Sequence, residues 1–365
     1  MSARQLYAGL MSGTSLDGID AVLADFGNIP WQLREHVYRS YPDDLRNRLL
    51  LLHRPQTNEL HEAMLAANEL TRCYAAAVAE LLTQAGVKAQ QITAIGCHGQ
   101  TVRHAPQLGY TLQLCNGALL AELTAITVVC DFRSRDIAAA GQGAPLVPAF
   151  HAALSLGSNA HRVIVNIGGM ANLTDLPSES PASGFDCGPG NMLLDAWCQK
   201  HTGQRYDADG TWAMSGKIIP ELLRRLLAHP FFGESPPKSG GREQFNLQWL
   251  NGFLSGKEAP QDVQATLLAL TVQGIAQAIK KHCQGAHEIY FCGGGARNKA
   301  LVKNLRVALP GVRTDVTDAL GINAQTLEAY AFAWLAWQTL QGKPGNLPQA
   351  TGALGLRLLG AIYKK

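Results

Sequence analysis

Twelve residues near the amino terminus, Gly9-Leu10-Met11-Ser12-Gly13-Thr14-Ser15-Leu16-Asp17-Gly18-Ile19-Asp20, bring together the residue types that hold phosphate. An apolar run, Leu6 to Met11, enters a turn of Ser12, Gly13, Thr14 and Ser15, and apolar alternation resumes through Ile19, Ala21, Val22, Leu23 and Phe26. The pattern predicts two strands joined by a small polar turn. Glycines and hydroxyl residues at such a tip leave backbone N–H groups uncovered, and several aimed at one point cradle phosphate oxygens. An ordinary glycine hairpin would carry the same twelve residues, so the rest of the chain decides. Two more glycine turns follow apolar strands: Gly168-Gly169 after Arg162 to Ile167, and Gly293-Gly294-Gly295 after Glu288 to Phe291. Three such turns fit a nucleotide gripped between two domains, with the hairpins on its phosphates from either side and the third turn flat against ribose or base.

The elements that must position these turns are legible from periodicity. Asn58 to about Ala85 reads as a long amphipathic helix, with Asn58 as its cap, Leu60, Met64, Ala67, Leu70, Tyr74, Val78, Leu81 and Leu82 as its buried stripe, and Gly86 as its stop. Strands follow at Ile92 to Cys97 and Tyr110 to Leu114, then a helix around Gly117 to Leu123 and a strand Ile126 to Cys130. The pattern then begins again: strand Arg162 to Ile167, the glycine turn, a returning strand Asn172 to Leu176, and Gly184-Phe185-Asp186-Cys187-Gly188-Pro189-Gly190-Asn191 leading into a helix from Met192 to His201. Pro236 to Phe245, with Lys238, Arg242 and Glu243, reads as a polar loop at a domain edge. Helices are expected over Asp262 to Cys283 and Asn323 to Leu340, the latter with Trp334 and Trp337 in the core. The expected fold class is α/β: two similar domains, each a mixed sheet flanked by helices, around a central cleft. The boundaries read as 1–137 with 348–365 for the first domain and 138–347 for the second.

Composition narrows the class further. Glycine stands at 37 of 365 residues, above the usual ~7%, and its excess lies in turns where a backbone can approach a ligand closely. A net charge of +3, with no basic run longer than two apart from Lys280-Lys281-His282, gives nucleic acid no footprint. The eight scattered cysteines form no CxxC pair and read as reduced thiols of a cytoplasmic protein. The most apolar region, Thr111 to Cys130, is broken by Asn116 and Glu122, so no membrane span is expected.

Taken in order, GLMSGTSLDGID (Gly9 to Asp20), CHGQT (Cys97 to Thr101), DFRSRD (Asp131 to Asp136), GQGAPLVPAFH (Gly141 to His151), NIGG (Asn166 to Gly169), GFDCGPGN (Gly184 to Asn191), CGGGARN (Cys292 to Asn298) and TGALG (Thr351 to Gly355) cover the chain from end to end. This series resembles the sugar-kinase, actin and Hsp70-chaperone superfamily and, more narrowly, the anhydro-N-acetylmuramic acid kinases. The chain departs from the wider superfamily at Gly9, where many members carry an acidic residue. The resemblance implies an actin-like, ribonuclease H-like fold and an ATP- and Mg²⁺-dependent conversion of a 1,6-anhydro sugar to its 6-phosphate in the recycling of cell-wall fragments. It also implies a homodimer.

Opening an internal acetal requires water at the anomeric carbon and a way to accept the departing O6. If the γ-phosphoryl group captures O6, the protein need supply only a base, and Asp186 is the candidate; a helix-capping aspartate is the other reading of that position. The resemblance implies that Gly13, Thr14, Ser15, Leu16, Asp17, Gly18, Ile19 and Asp20, with Gly168, Gly169, Gly293, Gly294, Gly295 and Asn298, bind the nucleotide. Asp17 or Asp20 would meet Mg²⁺, through water. His98, Gln100, Thr101, Arg133 and Glu328 would line the sugar site, although Arg133 could instead pair with Asp136, and Glu328 could merely favour its helix dipole. Two other classes fit parts of the pattern. A nicotinamide-dependent dehydrogenase would use the Gly293 turn with Asp315 or Asp318 on a ribose, but leaves the first two hairpins unexplained. A non-catalytic nucleotide-gated binding protein would keep all three turns and have no need of Asp186.

Overall fold

Short apolar runs bounded by turns build the same strand order twice, once in each of two units. The computed structural model describes residues 4–13, 16, 18–155, 160–242 and 244–365. Unit 1 comprises Met1–Phe150 and Gln325–Lys365, and unit 2 comprises His151–Ala324. In unit 1, β1 (Leu6–Met11), β2 (Gly18–Asp25) and β3 (Gln32–Ser40) form an antiparallel meander. The helix Glu59–Ala85 carries the chain back so that β4 (Ile92–Cys97) lies parallel to β1. A separate hairpin of β5 (Gln100–Ala105) and β6 (Tyr110–Leu114) precedes β7 (Val128–Cys130), which is parallel to β4. In unit 2, β8 (Arg162–Ile167), β9 (Met170–Leu176) and β10 (Ser183–Pro189) repeat the meander, and β11 (Glu288–Cys292) and β12 (Arg313–Val316) add in parallel. The tail returns as β13 (Ala361–Tyr363), antiparallel to β7. Apart from β13, the two orders match: β3-β2-β1-β4-β7 and β10-β9-β8-β11-β12. This repeated meander-plus-parallel-strands order is the actin-like arrangement that the resemblance implies.

The long helix has the expected span and a different face. It buries Ala63, Ala66, Ala67, Leu70, Tyr74, Ala77, Val78 and Leu81, whereas Leu60 and Met64 are 78% and 50% exposed. Small residues draw it close to the sheet, which rotates its first turn away from the larger apolar side chains. Asn58 makes no side-chain cap, and its carbonyl accepts the Glu62 N–H. Gly86, at φ +64°, ends the helix as read.

The boundaries of the units differ from those read in the sequence at both joins. The stretch 138–150 stays with unit 1: Gln142 N–H donates to the Thr351 carbonyl, Leu354 N–H to the Ala139 carbonyl, and Phe150 packs on Trp31, Tyr330 and Trp334. The helix Leu327–Leu340 also belongs to unit 1, for a reason written in two glycines. Gly9 on β1 and Gly96 on β4 are register partners. A Cβ on Gly9 would collide with the Ala329 carbonyl, and one on Gly96 with the Phe332 carbonyl. The pair forms a slot that lets the helix backbone lie directly on the sheet, and Trp334 sits in the core as expected.

Candidate active site

In unit 1, parallel pairing sets Leu10 beside Cys97, so the residues that leave β1 and β4 meet. Ser12 Oγ bonds the Tyr74 hydroxyl and donates to the Gly99 carbonyl at 3.0 Å. Gln100 Nε2 donates to the Gly13 carbonyl at 3.1 Å, while its Oε1 accepts from the Tyr41 hydroxyl. His98 binds this turn to Arg133. Its Nε2 accepts from Arg133 Nε at 3.2 Å and Nη2 at 2.8 Å, and its Nδ1 lies 3.3 Å from the Ser12 carbonyl. A ring nitrogen that receives a guanidinium fork carries no proton, so the proton sits on Nδ1 and is donated to Ser12. Burial first, and then the charge of Arg133, hold the His98 pKa well below its usual range.

Arg133 does not pair with Asp136. Its Nη1 donates to the Gly143 carbonyl at 2.8 Å, and the fully buried Asp136 instead accepts from Gly143 N–H, Asn346 Nδ2 and Thr351 Oγ1. The helix Leu327–Leu340 runs antiparallel to β1, its start over Gly9 and its Trp337 Nε1 bonded to Gln5 Oε1 at 2.9 Å. Glu328, its second residue, therefore stands at the C-terminal end of β1, the end that carries Gly13 and His98. Thr101 Oγ1 accepts from Gln113 Nε2 at 3.2 Å.

The remaining residues of the first hairpin divide by role. Leu16 and Ile19 bury their side chains completely, so only their backbone is left to meet a ligand. A Cβ on Gly18 would collide with the Arg39 carbonyl, so that glycine serves the β2–β3 contact. Asp20 pairs with His36 Nε2 at 2.8 Å. Thr14, Ser15 and Asp17 lie outside the described residues.

In unit 2 the glycine turns converge on one another. Gly190 and Met192 donate their N–H groups to the Gly169 carbonyl, and Asn191 donates its own to the Gly168 carbonyl at 2.8 Å. The N–H groups of Asn191 and Met192, at the start of the helix Met192–Thr202, are thus committed to the β8–β9 turn. Among the described residues, the N–H groups of Gly168 and Gly169 themselves have no partner. The third turn packs against the second, since a Cβ on Gly293 would collide with Asn166 Oδ1 and one on Gly295 with Ile167. Gly294 is the open position, where a Cβ would come no closer to a neighbour than 3.7 Å, to Asn191 Nδ2. Asn298 caps the helix Lys299–Ala308, its Oδ1 accepting the Leu301 N–H at 3.0 Å.

Asp186 lies on β10 opposite Asn172, next to a bulge at Cys187, and is 6% exposed. It caps no helix: Met192–Thr202 opens after Asn191 with no side-chain cap. Its own N–H donates to the Lys238 carbonyl at 3.1 Å, and its Oδ2 accepts from Gly240 N–H at 3.0 Å. The 236–241 segment, read as a loop at a domain edge, therefore wraps the candidate base.

The family model described as anhydro-N-acetylmuramic acid kinase matches residues 5–365. The chain belongs to the anhydro-N-acetylmuramic acid kinase family. It is 60% identical to the anhydro-N-acetylmuramic acid kinase of Nitrosospira multiformis over 359 residues, 98% of each chain. It is 56% identical to that of Nitrosomonas europaea, over 98% of this chain and 99% of the other. Among solved structures, component A of the (R)-2-hydroxyglutaryl-CoA dehydratase of Acidaminococcus fermentans aligns over 90% of this chain and 96% of its own, with 13% identity and a TM-score of 0.49.

As an anhydro-N-acetylmuramic acid kinase family member the protein is a phosphotransferase, and the dehydrogenase and non-catalytic readings fall. Both acids that the dehydrogenase reading offered hold backbone N–H groups: Asp315 Oδ1 that of Val316 at 2.8 Å and Asp318 Oδ2 that of Ala324 at 3.0 Å. No group of three His, Cys, Asp or Glu side chains among the described residues is placed to hold a metal ion. No helix among them is long and apolar enough to cross a membrane. Residues around the site that the sequence did not point to are Tyr41 and Tyr74, which hold Gln100 and Ser12, and Lys238 and Gly240. The proline pair at 236–237 was the one sign that the last segment has a fixed shape.

Proposed function

We propose that this kinase uses ATP to convert 1,6-anhydro-N-acetylmuramic acid to N-acetylmuramic acid 6-phosphate in the recycling of cell-wall fragments. Asp186 takes a proton from water as the oxygen attacks the anomeric carbon, the bond from that carbon to O6 breaks, and O6 takes the γ-phosphoryl group with release of ADP. The observation that carries this reading is the placement of Asp186 relative to the Gly168-Gly169 turn. Three residue steps along the strand take Asn172, its register partner, to Gly169, a span of about 10 Å. The reacting line from carboxylate through water, anomeric carbon and O6 to phosphorus is three contacts of about 3 Å and one bond, again about 10 Å.

The uncovered N–H groups of Gly168 and Gly169 fit phosphate oxygens, and the open position at Gly294 lies on the turn packed against theirs. Mg²⁺ belongs to the same proposal. Phosphate oxygens and water would hold it, with Asp17 or Asp20 meeting it through water, so no dedicated cage of side chains would be needed. His98, Gln100, Thr101, Arg133 and Glu328 are assigned to the sugar, Arg133 to its carboxylate. A cytoplasmic location is supported by eight cysteines that are all free thiols, and the homodimer is carried over with the family. The test is ADP release with the anhydro sugar, with other sugars and with none. Asp186→Asn is expected to lose turnover by roughly 10² to 10⁴-fold while still binding ATP; turnover at the wild-type rate removes Asp186 from the mechanism.

A further inference from the structure

Lys238 is a buried cation in unit 2 for which the reaction above has no use. It is 7% exposed. Its Nζ donates to the Phe231 carbonyl at 2.7 Å and lies 4.5 Å from the centre of the Phe231 ring and 6.0 Å from that of Phe185, the residue before Asp186. Taking an ammonium out of water is costly, and a methionine would fill the same space without that cost. Burial pushes the Lys238 ammonium below its usual range, and the nearby Cys187, Glu234 and Asp186 act in the opposite direction. What the charge holds in place is visible in the main chain. Lys238 contributes the carbonyl that receives the Asp186 N–H, and two residues on, Gly240 contributes the N–H that meets Asp186 Oδ2. Gly240 packs on the same ring, since a Cβ there would come within 2.9 Å of Phe231 Cε2.

We propose that Lys238 is a positioning residue: its ammonium pins the Lys238–Gly240 segment to the Phe231 carbonyl, and that segment fixes the backbone and the carboxylate of Asp186 together. The inference rests on the reading of Asp186 as the base that activates water. Released from Phe231, the segment keeps its sequence but not its register on β10, and the carboxylate loses its aim without losing its chemistry.

The test uses the full-length kinase with ATP and the anhydro sugar, and compares Lys238→Met, Lys238→Arg and Asp186→Asn by kcat, both KM values and Tm. A misaimed base predicts that Lys238→Met lowers kcat by about 10²-fold with KM within about threefold and Tm not reduced, and that Lys238→Arg, which keeps charge and donor, recovers at least about tenfold of that loss. A kcat for Lys238→Met within about tenfold of wild type, a loss confined to KM or Tm, or no recovery in Lys238→Arg overturns the proposal. If Lys238→Met does not accumulate as folded protein, Lys238→Gln takes its place with the same thresholds. Wild-type turnover in Asp186→Asn would instead overturn the base assignment itself; an inactive Asp186→Asn beside an active Lys238→Met would overturn only the role of Lys238.

Discussion

His98 follows β4, His104 lies on β5, and burial first, then the charge of Arg133, keeps both rings neutral. His104 is held at a pKa of about 4, with its Nδ1 on Thr111 Oγ1 at 3.0 Å. In the unfolded chain the same ring titrates near 6.5, so between pH 6.5 and about 4 the unfolded state binds a proton that the folded state does not. Stability then rises with pH across that window and is lost as pH falls through it, by roughly 3 kcal/mol at its lower end for this one group. His104→Asn, which keeps a polar atom facing Thr111 and cannot take the proton, is expected to show a shallower fall of Tm from pH 7 to pH 4.5 than wild type; parallel curves would rule this out. At this scale the sequence displayed His98, Gln100 and Arg133 because they sit in compact polar motifs. It hid Lys238, because a lysine among prolines, serine and glycines reads as a solvated loop, and nothing in its neighbours shows that Phe231 and Phe185 will enclose it. Asp20 was legible as an acid but not as the partner of His36, which arrives from an unrecognised strand.

Elements were legible where one face alternates or an apolar run is unbroken. β1, β4, β6 and β8 fall where the pattern places them. β3 does not show itself, because an edge strand buries little: Arg34, Glu35, His36 and Arg39 interrupt it, and Val37 is its one fully buried side chain. β5 is hidden for a similar reason, pairing only with β6. The helix Leu327–Leu340 was evident as a helix, starting four residues later than read. Its packing partner was not evident, since it is apolar on every side and offers no stripe to orient it. Gly96 holds that information. It is not a turn residue, and its missing Cβ is the space occupied by the Phe332 carbonyl. Gly96→Ala must push the helix off β4, an overpacking cost of about 1–3 kcal/mol or more. The urea midpoint is expected to fall accordingly with an unchanged m value, and an unaltered midpoint would mean that the helix does not lie on the strand.

The two units carry the same strand order but are not equally self-sufficient. Unit 2 is one uninterrupted segment, and its apolar cluster, from Val163 to Leu309, lies wholly inside it. Unit 1 is built from two segments far apart in sequence, and the second supplies the helix that covers the Gly9 and Gly96 face of the sheet. Leu327, Tyr330, Phe332, Trp334 and Leu335 on that helix are each at most 3% exposed. Five large side chains at about 1.5–3 kcal/mol each amount to roughly 10 kcal/mol, comparable to the whole net stability of a domain. A protein ending at residue 150 keeps the cluster on the other face of its sheet but bares Tyr7, Phe26, Trp31 and Phe150, whose rings pack with one another and with this helix. The fragment 151–324 is therefore expected to unfold cooperatively in urea, with coincident near- and far-ultraviolet dichroism transitions, and the fragment 1–150 to lack a near-ultraviolet signal and a cooperative transition. The opposite pair of results would show that the helix Leu327–Leu340 is dispensable to the sheet it covers, and that the division at Phe150 and Gln325 does not follow the energetics of the chain.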